Sequence, residues 1–164
     1  MKTLIIGLGN PLLGDDGVGW RVAELVRQRL KNKYPEVEVD CLAVGGLSLM
    51  ERLVDSDRAI LIDSLMTGQS PEGTLLCLEL EDLPDLTAEH MTNAHDTSLQ
   101  TALRLGRSLG VKLPEKVTIV GIEANKVYDF SEALTPAVAE AVPRAVDKVF
   151  ELLDKIVEAI SKIR

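Results

Sequence analysis

The sequence predicts an α/β protein: a three-layer α/β/α sandwich around a mixed, mostly parallel five-stranded sheet. Three observations point there. Apolar, β-branched runs of strand length alternate with helix-period segments along the 164 residues. The first run, Leu4-Ile5-Ile6, passes through a glycine-rich turn into an amphipathic stretch, the opening half of a βαβ unit. One connection, 65–73, is too short and too rich in Gly, Ser and Pro to hold a crossover helix, so the strand after it must return antiparallel to a neighbour.

In chain order, the first strand, 4–6, ends where Gly7, Gly9, Asn10, Pro11 and Gly14 break the apolar run. Val18, Val22, Leu25, Val26 and Leu30 then recur at helical spacing, with Asp15 or Asp16 placed to cap that helix. Val37, Val39 and Cys41 alternate with polar residues as a second strand. Gly45-Gly46 makes a turn into a short helix over 47–54, and 59–62 is a third strand closed by Asp63 and Ser64. The antiparallel strand is expected at 74–80, a polar loop at 82–93, a helix at 96–109 and the last strand at 117–122. Val142, Val146, Val149, Leu153, Ile156 and Ile160 mark a long amphipathic helix over 136–163, with Pro143 as the place for a bend. No repeat, linker or low-complexity tail interrupts the series, and one domain over 1–164 is expected.

Charge and composition narrow the function classes. A net charge of −8 with no basic patch disfavours nucleic acid as a partner. No apolar run approaches the length of a membrane span, so no membrane association is expected. The start MKTLIIGLGN departs from a signal-peptide plan, because glycines and Asn10 interrupt its apolar run. Cys41 and Cys77 form no C-x-x-C pair and read as buried free thiols, which suits a reducing cytoplasm.

The turn after the first strand nearly fits two phosphate motifs and fails both. A dinucleotide fingerprint needs glycine where the chain has Leu12, and the P-loop spacing from Gly9 to Gly14 is followed by Asp15 and Asp16 instead of lysine. Two carboxylates there repel a phosphate and attract a cation. In an open α/β sheet, ligands gather outside the carboxyl ends of the strands. Asp16 lies just past the first strand, Asp63 ends the third, and His95 opens the helix before the last. Two carboxylates and an imidazole make a three-ligand set that leaves room for water or substrate and suits a borderline divalent ion. Each has a plainer reading: helix-capping acids for Asp15 and Asp16, an acid serving strand-end amides for Asp63, a capping or surface imidazole for His95. His90 reads as a surface residue. Ser48 lacks the second glycine of a nucleophile elbow, and neither cysteine has an activating partner. Leu12, Leu13, Leu47, Leu49, Leu65 and Met66 sit on turns around the same crevice; exposed, they would suit a docking polypeptide, and otherwise they tuck beneath their own loops.

GLGNPLLGDDGVG, LIDS and NAHDTSL, in this order and spacing, resemble the nickel-iron hydrogenase maturation endopeptidases. The likeness runs over nearly the whole chain, including VGIEA and the long last helix. It implies a phosphorylase/hydrolase-like sandwich and an enzyme that removes a carboxyl-terminal extension from the immature hydrogenase large subunit once nickel is in place. The family's metal-contacting and catalytic positions match Asp16, Asp63 and His95, and its paired glycines, on the substrate side, match Gly45 and Gly46. The resemblance further implies that the nickel is presented by the substrate and that no cofactor is permanently held; a monomer is expected. Many relatives carry aspartate before the paired glycines, where this chain has Val44, which bears on substrate choice. Peptidyl-tRNA hydrolases share the strand leading into GLGNP, but they need a histidine soon afterwards, and here none precedes His90. A nickel-checking protein that binds without cleaving would use the same three ligands.

Overall fold

The computed structural model describes residues 1–30, 33–82, 98–125 and 130–163. In chain order it holds β1 (Thr3–Leu8), α1 (Val18–Leu30), β2 (Val37–Leu42), α2 (Gly46–Leu53), β3 (Arg58–Leu65), β4 (Leu75–Glu79), α3 (Leu99–Ser108), β5 (Lys116–Glu123) and α4 (Pro136–Ile163). The strands form one sheet in the order β2-β1-β3-β5-β4. β1 pairs in parallel with β2 and β3, and β3 with β5. β4 runs antiparallel to β5, with Leu75 opposite Ile122 and Glu79 opposite Thr118, as the short connection before it requires.

Strand alternation sorts the apolar side chains into two cores. Ile5, Ile60, Ile62, Val120 and Ile122 face α1 and α4, packing on Val22, Val26, Val142 and Val149. Leu4, Ile6, Leu61, Val117 and Ile119 face α2 and α3, packing on Leu49, Leu53, Leu99 and Leu103. Each of these fully buried large side chains contributes about 1.5–3 kcal/mol. β1, β3 and β5 are covered on both faces, which explains their unbroken apolar runs.

Glycine sets how closely α1 approaches the sheet. A Cβ on Gly7 would collide with the Gly19 carbonyl oxygen and Ala23, and one on Gly19 would collide with the carbonyl oxygens of Leu8 and Ile62. α1 therefore lies against β1 and β3 with backbone touching backbone, and the turn before it is pressed onto the carboxyl edge of the sheet. α3 ends at Ser108 and the chain then returns to Lys116, the first residue of β5. Hence α3 runs opposite to the parallel strands and its N-terminus, capped by Ser98 Oγ accepting from Thr101 N (3.2 Å), stands at that same carboxyl edge.

Some local expectations change. Leu25, read as part of the apolar face of α1, is exposed. Cys77 is also exposed and Cys41 only half-buried, because β4 and β2 are the edge strands of the sheet. α4 continues as one helix through Pro143, and Pro136 takes its first position, where a missing N–H costs nothing. The expected polar loop lies outside the described residues apart from Asp82, which closes a short 3-10 turn, Leu80–Asp82. Among the described residues, no helix is long and apolar enough to cross a membrane.

Candidate active site at the carboxyl edge of the sheet

The turn between β1 and α1 folds back on itself. Gly9 adopts φ +115°, and a Cβ there would strike the Asp16 carbonyl, so a side chain is excluded on both conformational and steric grounds. Asn10 Oδ1 accepts from Leu12 N (3.0 Å) and the Asn10 carbonyl accepts from Leu13 N (3.1 Å), which closes the loop. A 3-10 turn, Gly14–Gly17, then leads into α1.

Its two aspartates diverge. Asp15 is 3% exposed and accepts from Thr135 twice, from the backbone N to Oδ1 (2.7 Å) and from Oγ1 to Oδ2 (2.8 Å). It does not cap α1; it ties the turn to the residue that opens α4. Asp16 is half-buried, and its Oδ2 reaches back to accept from Asn10 N (2.7 Å) rather than forward into the helix. With about three residues per turn, neighbours in a 3-10 turn point roughly 120° apart, so one carboxylate goes inward and the next toward the edge.

Asp63 sits near the end of β3, opposite Gly121 of β5, and is 1% exposed. Its Oδ1 accepts from the amide of Ser64 (2.8 Å). By alternation with Leu61 and Leu65, Asp63 lies on the α2/α3 side of the sheet, the side on which the N-terminus of α3 arrives. The Gly14–Gly17 turn packs against β3, so the segments bearing Asp16 and Asp63 meet at one edge. Gly45 and Gly46 lead from β2 into α2 at the same edge, Gly45 extended and Gly46 at φ +52°. His95 and His90 lie outside the described residues; His95 is three positions before Ser98. Among the described residues, no group of three or more His, Cys, Asp or Glu is gathered in a way that could hold a metal.

Sequence reasoning passed over Glu123. This carboxylate at the end of β5 is buried, accepts from Thr67 Oγ1 (2.7 Å) and Gly68 N (2.8 Å), and so fixes the loop that follows β3. Its signal was the one that marked Asp63, an acid ending an apolar strand. The rim is partly apolar: Leu12 and Leu47 are exposed, Leu13 and Met66 half-buried, and Leu49 and Leu65 fully buried. Val44 and Phe130, the latter 87% exposed, add to it. Beside the turn lies a cleft of about 310 Å³ walled by Pro11, Leu12, Trp20, Arg21 and Leu134. Ser48 is exposed on α2. Desolvation pushes the thiols of Cys41 and Cys77 above the ordinary value, which makes both poor nucleophiles.

A family model described as hydrogenase maturation protease matches residues 21–152. The chain belongs to that family. This hydrogenase maturation protease is 29% identical over 164 residues to the hydrogenase 2 maturation protease of Escherichia coli K12, covering 99% of this chain and 97% of that one. It is 30% identical over 153 residues to a putative hydrogenase maturation protease of Methanocaldococcus jannaschii, covering 92% of each. Among solved structures it is similar to the hydrogenase maturating endopeptidase HybD from E. coli, with a TM-score of 0.73 and 25% identity over 94% of this chain and 93% of that one. It is also similar to a hydrogenase 2 maturation peptidase from a Thaumarchaeota archaeon, with a TM-score of 0.67 and 32% identity over 94% and 99% of the two chains. Membership in the protease family sets peptidyl-tRNA hydrolysis aside.

Proposed function

We propose that this protease removes a carboxyl-terminal extension from the large subunit of a nickel-iron hydrogenase after nickel insertion, with Asp16, Asp63 and His95 contacting the nickel of its substrate. The observation that carries the proposal is the meeting of two acid-bearing segments at one end of the sheet, the turn with Asp16 and the end of β3 with Asp63, where α3 also begins. Two nearby carboxylates repel one another, and a cation relieves that repulsion. A nickel ion already seated in the partner supplies the cation and anchors the scissile bond beside these residues. It also acts as a Lewis acid toward the bond's carbonyl or a water.

The residues around the site suit a macromolecular partner. Leu12, Val44 and Phe130 on loops of this edge and Leu47 in the first turn of α2 present apolar surface beside the paired glycines Gly45 and Gly46. In this reading the protein works as a cytoplasmic monomer with no resident metal, and its core supports folding without one. His95 must be neutral to contact the metal, so metal-dependent docking weakens as pH falls through the usual histidine range, roughly 6–7.

The test is processing of the large-subunit precursor, with and without nickel, followed by its shift on a gel. Shortening of the nickel-loaded form alone is expected. Equal cleavage of the nickel-free precursor would contradict nickel sensing, and cleavage of neither would leave a binding protein that checks nickel without cutting.

A further inference from the structure

The loop before α4 is fastened to the Gly14–Gly17 turn along its length. Ser131 N donates to the Leu12 carbonyl (2.9 Å), Gly14 N donates to the Ser131 carbonyl (2.6 Å), and Leu13 and Ser131 form an isolated parallel bridge. Beyond them Thr135 donates twice to Asp15, across 120 positions of sequence. Both Asp15 carboxylate oxygens are engaged by Thr135, which turns this side chain toward the loop before α4 rather than toward an arriving partner. The next residue, Asp16, is the one directed to the edge.

We propose that Asp15 and Thr135 are positioning residues: their two-point clasp locks the turn so that the Asp16 carboxylate is held against Asn10 N and presented at the carboxyl edge. The proposal rests on the reading that Asp16 contacts the substrate's nickel. A single hydrogen bond would let the Asp15 carboxylate pivot; two bonds from one residue fix its plane and, through the short 3-10 turn, the direction of its neighbour. The Thr135 hydroxyl also stands 3.1 Å from Glu72 Oε1, and its one hydrogen serves one carboxylate at a time. This separates geometry from charge. In Asp15→Asn the amide oxygen still accepts from Thr135 N, the new NH₂ donates to Oγ1, and the hydroxyl hydrogen turns to Glu72. The clasp survives without the charge.

Asn10 N, 2.7 Å from Asp16 Oδ2, reports on Asp16 in the protein alone, with no metal or substrate present. The experiment follows the Asn10 amide by ¹H–¹⁵N NMR and hydrogen exchange, with Asp16→Ala defining the position of the lost bond. Asp15→Ala and Thr135→Val are expected to move the Asn10 signal at least about half-way to that limit and to speed its exchange about tenfold. Asp15→Asn and Thr135→Ser are expected to keep it at the wild-type position. Should Asp15→Ala fail to fold, Thr135→Val, which retains every backbone bond, decides the matter. An unmoved Asn10 signal in a folded but less stable Asp15→Ala or Thr135→Val makes the clasp merely structural and overturns the proposal. So does Asp15→Asn behaving like Asp15→Ala, which would mean the charge acts and not the geometry. Normal processing by Asp16→Ala would instead overturn the role of Asp16 itself, an outcome read in a separate assay.

Discussion

Carboxylates are handled differently at the two ends of this molecule. Among the described residues at the carboxyl edge, amides and hydroxyls donate to the carboxylates: Asn10 N to Asp16, Ser64 N to Asp63, Thr135 to Asp15, and Thr67 Oγ1 with Gly68 N to Glu123. At the amino edge and along α4 the carboxylates meet cations, as in Lys2–Glu38 (3.1 Å), Lys112–Asp57 (3.2 Å), Arg29–Asp147 (2.6 Å) and Lys155–Glu151 (2.6 Å). Amides and hydroxyls with fixed positions set the direction in which a carboxylate points. Exposed ion pairs balance charge but are screened by water, and each is worth little. The first end is built for geometry and the second for solubility.

Substitutions at the two ends should therefore differ greatly in effect. Asp16→Ala, Asp63→Ala and His95→Ala are each expected to lower processing of nickel-loaded precursor by about a thousandfold or more, the scale of losing a preorganised charge at a reacting centre. Normal processing by any one of them would break the three-residue set. Gly19→Ala should act on stability. Its new methyl meets the carbonyls of Leu8 and Ile62, and overpacking of this kind costs about 1–3 kcal/mol. At this chain length that lowers the melting temperature by roughly 2–12 °C, and an unchanged melting curve would show that α1 can back away from the sheet.

Leu12→Asp, at an exposed rim position, should raise KM for the precursor while changing stability by no more than about 0.5 kcal/mol. The smallest effect is expected at the charged end. Lys148 and Lys155 pull the Glu151 carboxyl down from 4.5 to about 2. A group depressed on folding contributes stability above its unfolded pKa, and that contribution is lost as pH falls from about 4.5 toward 2. Removing both lysines should return the NMR titration midpoint of Glu151 to its ordinary range and leave processing at neutral pH unchanged.

The layered fold was legible because β1, β3 and β5 are buried on both faces and so must be apolar throughout, and because the segment before β4 is too short for a crossover. The edge strands were harder to read: Cys77 and Cys41 sit in apolar surroundings, yet sheet position, which a local pattern does not encode, leaves one exposed and the other half-buried. Asp16 could be placed at the edge by its position after the first strand, and Asp63 by its position at the close of an apolar strand run. The role of Asp15 could not, since capping is a local signal and its actual partner, Thr135, is remote in sequence. Glu123 escaped for a similar reason, because its donors belong to the loop after a different strand.

The central claim, that the edge acids and His95 share one nickel, is tested most directly by diffraction from crystals soaked in a nickel or cadmium salt. The account predicts one anomalous peak about 2.0–2.3 Å from carboxylate oxygens of Asp16 and Asp63 and from a ring nitrogen of His95, with at least one position open to solvent. A peak held elsewhere, or one that leaves out any of the three, would contradict it.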